Sequence, residues 1–280
     1  MIHNVEHSSK AAATGHSTAG AQSVDRALAL LSQIGRHSRE GASLSHLTQY
    51  SGLNKPTARR LLIALINAGM VEQSPTTQRY QLGPEAFLLG QRASEHHNLT
   101  RLAAYNVAWL AQTTQDAACL SIRRGNLSLC LQREDGAYPI RTHALLPGAY
   151  HPLGIGAGSL AMLATLPDLE IQKILEAQRP VLEAEYPQLP ASQIEALVHE
   201  TRQQGYSLNP GLIFPDSWGV GIALRWPDGV LVGAVSIAAI ESRMQEPRLT
   251  QQLLPLLREA AASIEADLAK EFSRYTTDKT

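Results

Sequence analysis

Cysteine is nearly absent, with 2 residues among 280. Neither a C-x-x-C pair nor a Cys/His spacing of the zinc type occurs, which excludes a disulfide-stapled secreted domain and a zinc finger. Long apolar runs are also missing. The longest apolar stretch, Val230 to Ile240, is too short to cross a bilayer and reads as a buried strand. Residues 1–22 lack the apolar segment of a secretory signal and have the Ala, Ser, Thr, Gly and His mixture of a loose tail, so a cytoplasmic protein without membrane partners is expected. There is no excess of either charge: 24 Lys and Arg face 25 Asp and Glu, a net charge of -1. A uniformly basic nucleic-acid coat protein is thereby excluded. With 44% apolar residues, disorder over most of the chain is excluded as well, and the length suits two domains.

What is present becomes ordered at Ser23. Val24, Ala27, Leu28, Leu31 and Ile34 mark one face of a helix, with Ser23 as the expected N-cap and Gly35 as the expected stop. A short second helix is expected over Ser43 to Tyr50, capped by Ser43 and ended by Gly52. A third follows Asn54, whose side chain can cap it, with Pro56 in the first turn where no backbone donor is needed. Its buried stripe is Ala58, Leu61, Leu62, Leu65 and Ile66, and its exposed N-terminal positions are Lys55, Thr57, Arg59 and Arg60. Two short helices around a glycine turn, the second presenting a basic end, satisfy the requirements of a helix-turn-helix. Two short segments, Met70 to Gln73 and Arg79 to Gly83, around a polar turn then make a wing.

The average charge hides an uneven layout. Ser23 to Gly83 holds seven basic residues against three acidic ones, a balance of +4, which leaves -5 on residues 84–280. A positive head on a negative body fits contact with DNA phosphates by the head alone.

Ser51-Gly52-Leu53-Asn54-Lys55-Pro56-Thr57-Ala58-Arg59-Arg60-Leu61-Leu62, followed by Ala68-Gly69-Met70-Val71 and Arg79-Tyr80-Gln81-Leu82-Gly83, resembles the winged helix of the IclR family of bacterial transcription regulators. The opening Ser23-Val24-Asp25-Arg26-Ala27-Leu28 resembles that family's first helix, and the similarity runs from about residue 23 to 270. It implies an α+β chain: a winged helix-turn-helix over 23–83, a linker helix over 84–98 that helps make the dimer, and a GAF/profilin-like effector domain over 99–273. Ser43, Asn54, Lys55, Pro56, Thr57, Arg59, Arg60 and Arg79 form the expected DNA-binding set. Pro56 stands where the family commonly has Ser, which moves the phosphate contacts toward Thr57, Arg59 and Arg60.

In the body, Pro84 to Asn98 and Leu99 to Gln112 read as helices. Asp116 to Ile122 and Leu127 to Arg133 read as a hairpin whose four-residue loop would set Cys119 opposite Cys130, both as free packing residues. Leu166 to Glu176 and Ala191 to Gln204 read as surface helices, Trp218 to Leu224 and Val230 to Ile240 as a second hairpin, and Leu249 to Phe272 as a terminal helix with Pro255 near its start. Gly154-x-Gly156-x-Gly158 lacks the G-x-G-x-x-G pattern and the P-loop lysine, so it reads either as a backbone cradle or as a site of close helix packing. The family resemblance implies effector contacts at Gly154, Ile155, Gly156 and Ala157, at Trp218, Gly219, Val220 and Gly221, and at Ser236. Arg141, His143 and His151 nearby suggest an acidic or phenolic effector. No metal motif arises from His3, His7 and His16, nor from the adjacent His96 and His97.

The expected function is a metabolite-responsive regulator of a catabolic operon, with double-stranded operator DNA, a small-molecule effector and a second or further copies of the chain as partners. No metal or other cofactor is expected. Two alternatives stand beside it. A hydrolase would use Ser159 or Ser236 with His143 or His151, but no G-x-S-x-G elbow or triad order accompanies them. A winged-helix module could instead bind protein alone.

Overall fold

The computed structural model describes residues 21–37, 40–96, 99–142 and 145–277. The tail histidines, His97 and His143 lie outside these. The chain divides at residues 97–98 into two compact units.

The first unit begins with α1 (Gln22–Arg36), α2 (Leu44–Ser51) and α3 (Lys55–Asn67). Leu30, Ile34, Leu47, Leu61, Leu62, Leu65 and Val71 bury against one another, as the helical spacing requires. The expected ends of α1 are corrected: Ala21, not Ser23, sits at the N-cap position without a side-chain bond, and the helix runs through Gly35 to Arg36. The place a Gly35 Cβ would take is in ordinary contact with Leu82, 3.6 Å away, so the glycine neither ends the helix nor is required by packing. Gly52 does end α2, in the left-handed conformation. The wing consists of β1 (Val71–Gln73) and β2 (Tyr80–Leu82), paired antiparallel. Tyr80 also exchanges backbone bonds with Ala42 at 2.8 and 2.9 Å, which ties the wing to the turn before α2. Gly41 makes that turn at φ +72°, with 3.1 Å between the place of its missing Cβ and the Tyr80 carbonyl. After the wing comes α4 (Pro84–His96).

The second unit is an antiparallel sheet between two helix layers. Its strands are β3 (Ala117–Arg124), β4 (Leu127–Glu134), β5 (Tyr150–Pro152), β6 (Ser207–Pro210), β7 (Ser217–Arg225) and β8 (Leu231–Ile240), in the order β5-β4-β3-β8-β7-β6. On one face pack α5 (Leu99–Thr114) and α9 (Leu254–Thr277). On the other pack α6 (Ala157–Ala164), α7 (Asp168–Glu185) and α8 (Ala191–Gln204). Side chains alternate by size rather than by polarity. Leu120, Val220, Leu224, Val235 and Ile237 face α5 and α9, whereas Cys119, Ser121, Gly219, Gly221, Ala234 and Ser236 occupy the alternate positions of the same strands. Strand side chains point to opposite faces with period two, so one face of the sheet is large and the other nearly bare.

Several sequence expectations shift. The β3–β4 turn is Gly125-Asn126, with Arg124 opposite Leu127, because Arg123 and Arg124 continue the strand. Cys130 therefore faces Ser121, and past a bulge between Leu120 and Ser121, Cys119 faces Arg133. The thiols are diagonal neighbours, not a direct pair. α7 runs on to Glu185 through Pro180; both Pro180 and Glu176 are exposed, so water can take the carbonyl that the missing N–H leaves open. The terminal helix opens with a π-helical turn, Leu249–Leu253, before Leu254 starts α9. Pro255 cannot donate to Gln251 and crowds its carbonyl, which favours the wider turn. β5 was not expected from sequence: it is three residues at the sheet edge and contains Pro152, a residue tolerated there.

A buried ion cluster fastens the sheet to this last segment. Asp116, its side chain 2% exposed, receives Arg243 at 2.7 Å and Arg248 at 2.6 Å, and both guanidiniums also donate to the Thr114 carbonyl.

α6 lies closely on β7, backbone against backbone. A Cβ at Gly221 would stand 2.8 Å from the Ala157 carbonyl carbon and 2.9 Å from the Gly158 nitrogen. Gly221→Ala is expected to destabilise the chain by about 1–3 kcal/mol in urea denaturation. Gly90→Ala, in α4 with nothing within 4 Å, is expected to be neutral or stabilising by up to about 1 kcal/mol. Equal effects of the two variants would contradict the close packing of α6.

Candidate DNA-reading surface and effector cavity

The N-terminal end of α3 is organised by its cap. The Asn54 Oδ1 accepts from the Thr57 N–H at 2.9 Å, and the Ser43 hydroxyl does the same for His46 at 3.2 Å at the start of α2. Both side chains expected at the DNA thus have helix-capping work. Pro56 has no N–H and Thr57 has given its own, so the first turn of α3 offers a phosphate little beyond the Lys55 N–H. Side chains must do the rest. Lys55, Pro56, Arg59 and Arg60 are exposed and line one shallow depression together with Ile63. Ile63, 57% exposed on this surface, was missed from sequence, where its exposed helical position among basic residues was the available signal. An apolar group there suits a thymine methyl. Arg79 lies elsewhere in the head: its Nη1 donates to the Gly41 carbonyl at 2.9 Å, bracing the wing against the turn before α2.

In the second unit a cavity of about 60 Å³ lies between the bare face of the sheet and the start of α6. Ile155, Gly156, Ala157, Trp218, Gly219 and Ser236 line it, as expected. The other three expected positions lie off its wall. Gly154, at φ +104°, turns against Leu163 and Ile194; Val220 is on the opposite face, in the core with α5 and α9; Gly221 is covered by Ala157. The sheet contributes His151, which the sequence placed near the effector, and residues that sequence reasoning overlooked, among them Cys119, Ser121, Ser128, Asn209 and Ser217. Their signal was the polar or small member of each alternating strand pair.

The cavity wall is mostly apolar, with a few polar groups set into it. Among the described residues, none of its lining side chains is Lys, Arg, Asp or Glu, and the Ser121 hydroxyl is buried without a hydrogen-bond partner. The start of α6 adds backbone N–H groups that the helix itself leaves open. Ser159 is not available as a nucleophile: its hydroxyl accepts from the Gly154 N–H at 2.9 Å and donates to the Pro152 carbonyl. Ser207 donates to the Ala157 carbonyl at 2.6 Å, fixing the helix start on the sheet.

Cys119 and Cys130 are free and buried. The hydrogen bond from Cys130 draws the Cys119 thiol below its ordinary value, helped by Arg133 and opposed by burial. The same bond and burial push Cys130 upward. A bulky charged thiol reagent should find close to no thiol in the native protein and both after denaturation without reductant. Full native reaction would contradict the burial, and no reaction after denaturation would contradict the free pair.

Among the described residues no three His, Cys, Asp or Glu side chains converge as metal ligands, and no helix is long and apolar enough to cross a membrane. Comparison with known proteins matches residues 23–75 to the IclR helix-turn-helix domain and residues 91–266 to the bacterial transcriptional regulator IclR C-terminal domain. The glycerol operon regulatory protein of Streptomyces griseus is 29% identical over 255 residues, covering 88% of this chain and 96% of that one. The DNA-binding transcriptional repressor YiaJ of Escherichia coli is 29% identical over 259 residues, 89% of each chain. Among solved structures, an IclR regulator of Alicyclobacillus acidocaldarius superposes with TM-score 0.74 at 24% identity, over 89% of this chain and 99% of that one. An IclR homologue of Microbacterium hydrocarbonoxydans, solved with 4-hydroxybenzoate, gives 0.73 at 21%, over 88% and 98%. The chain belongs to the IclR family of bacterial transcription regulators, which are DNA-binding proteins and not enzymes.

Proposed function

We propose that this regulator reads operator DNA with the exposed end of α3 and senses a small carboxylate or phenol in the cavity beneath α6, so as to control a catabolic operon. Lys55 and Arg59 reach base edges in the major groove, Ile63 meets a methyl, and Thr57 and Arg60 hold phosphates. Arg79 keeps the wing in place and offers its remaining donors to the backbone. The observation that carries the effector reading is the cavity wall, in which a few hydroxyls and open helix N–H groups are set into a largely apolar surface with no fixed counter-charge. Such a wall accepts one anionic or hydroxyl oxygen at the positive end of α6, with Ile155, Ile213 and Trp218 against the carbon skeleton. The 4-hydroxybenzoate bound by the Microbacterium homologue has both groups.

Self-association into a dimer or tetramer is part of the proposal. Its support is α4, which leaves Phe87, Leu88 and Leu89 exposed by 65, 42 and 45%, a concentration of apolar surface that a second copy would cover.

Binding to the chain's own upstream DNA over a salt series should weaken steeply as counterions are recaptured. Arg60→Ala should reduce that slope by about one phosphate contact, whereas Arg59→Ala should also relax base preference. A flat salt response would overturn the reading. In a thermal screen of small carboxylates and phenols, a true effector at 100 times its Kd adds about 2.7 kcal/mol. Ser236→Val, which places a methyl where the hydroxyl faces Gly158, should abolish that shift while leaving DNA affinity intact; an unchanged shift would move the effector elsewhere.

A further inference from the structure

Away from both sites, three polar side chains converge where α1 meets α2. His37 Nε2 and His46 Nε2 are 2.9 Å apart, Gln33 Nε2 is 3.1 Å from His46 Nε2 and 3.5 Å from His37 Nε2. The two rings stand at 82° with centroids 4.5 Å apart. Gln33 is 6% exposed, and its Oε1 is buried without a partner among the described residues.

Hydrogen bonding alone does not satisfy this triangle. Each imidazole Nε2 carries either a proton or a lone pair, and the amide nitrogen only donates. If Gln33 donates to both rings, their lone pairs face each other at 2.9 Å; if His37 donates to His46, the amide and His37 meet donor to donor. One contact is always wrong. Exchanging the two ends of the Gln33 amide, which moves no carbon atom, brings its oxygen into the triangle and puts its NH2 in the buried place where the oxygen had no partner. Two imidazole nitrogens and one carbonyl oxygen then converge.

We propose that Gln33, His37 and His46 form a binding site for a divalent transition cation of the zinc type. Ligands about 2.0–2.1 Å from such an ion are separated from one another by about 2.9 Å in an octahedron and about 3.3 Å in a tetrahedron. The observed edges of 2.9, 3.1 and 3.5 Å span these values. A point about 2.05 Å from all three atoms exists, about 0.9 Å out of their plane. One ion there replaces the mismatched donors with three lone pairs directed at a single positive charge, and water completes its shell. Imidazole favours zinc, nickel or copper over magnesium or calcium. The site joins the last turn of α1 to the first turn of α2, beside the Ser43 cap, so occupancy fastens the helix-turn-helix at its hinge.

The test uses the full chain with His3→Ala, His7→Ala and His16→Ala, which silences the tail histidines. After chelation, ZnCl2 is titrated by calorimetry and by thermal unfolding. One equivalent is expected to bind saturably and raise the Tm, with MgCl2 inert. His46→Ala and Gln33→Leu, each checked for folding by circular dichroism, should weaken Zn2+ binding by about tenfold or more. Gln33→Glu presents an oxygen in either orientation and adds charge, so it should bind Zn2+ more tightly than the parent. Binding that persists undiminished in His46→Ala, absence of binding in the parent, or a Gln33→Glu variant no tighter than the parent would each overturn the proposal.

Discussion

The second unit depends on how closely α6 can lie against β7. Gly221 has no side chain, the Ala157 carbonyl occupies the space, and Ser207 donates to that carbonyl and to the Gly221 carbonyl at 2.6 and 3.2 Å. Helix and strand are thereby held backbone to backbone at the N-terminal end of α6. That contact sets the cavity's position and its chemistry together. Gly158 lies over Ser236, whose Oγ is 3.3 Å from the place of a Gly158 Cβ, so hydroxyls of the sheet and N–H groups of the helix line the same small space. A larger side chain on this face would separate the layers, and the helix's positive end would no longer be directed at the cavity.

The opposite face of the sheet has a different task. Leu120, Val220, Leu224, Val235 and Ile237 pack against α5 and α9 and supply most of the apolar burial that holds the unit together. The same strands therefore divide their labour by alternation, one face packing the core and the other lining the cavity. A binding site with small walls removes packing from one side of a sheet, and that loss is offset by a full core on the other. The Asp116 cluster adds to this at the start of β3. Two guanidiniums share one buried carboxylate, and loss of that carboxylate would leave both facing each other, a defect of several kcal/mol.

Much of the head was legible in sequence because its determinants are local. Caps at Ser43 and Asn54, the glycine stop at Gly52 and the apolar stripe of α3 act within a few residues. The bounds of α1 were misjudged because Ser23 and Gly35 carry helix-end signals, yet both lie inside the helix. In the body, the strands of the second hairpin were readable, but the face of each residue was not used. Trp218-Gly219-Val220-Gly221 was assigned to the effector as a block, whereas period two sends Val220 into the core. The hairpin of β3 and β4 slipped in register because Arg123 and Arg124 look like loop residues and in fact continue an antiparallel pair at the sheet's end. Ser121 and Ser128, remote from the glycine motif in sequence, reach the cavity only through strand pairing, which no local pattern specifies.

The capping of α3 also decides how the head must hold DNA. A helix start usually offers an anion several free N–H groups and a favourable dipole. Here Pro56 removes one donor and Asn54 takes another, so a phosphate gains little from the backbone. In the proposed reading recognition rests on Lys55, Arg59 and Arg60, whose charges act through long, solvated side chains and are sensitive to salt. Three of the seven basic residues of 23–83, Lys55, Arg59 and Arg60, stand on this exposed end of α3, while the -5 of the remaining chain disfavours nonspecific wrapping of DNA by the sensor. An effector can alter such a complex only by the difference in its affinity for the DNA-bound and free arrangements. In the proposed reading, where the head holds DNA by exposed charges, modest changes in where those charges stand are sufficient to shift binding.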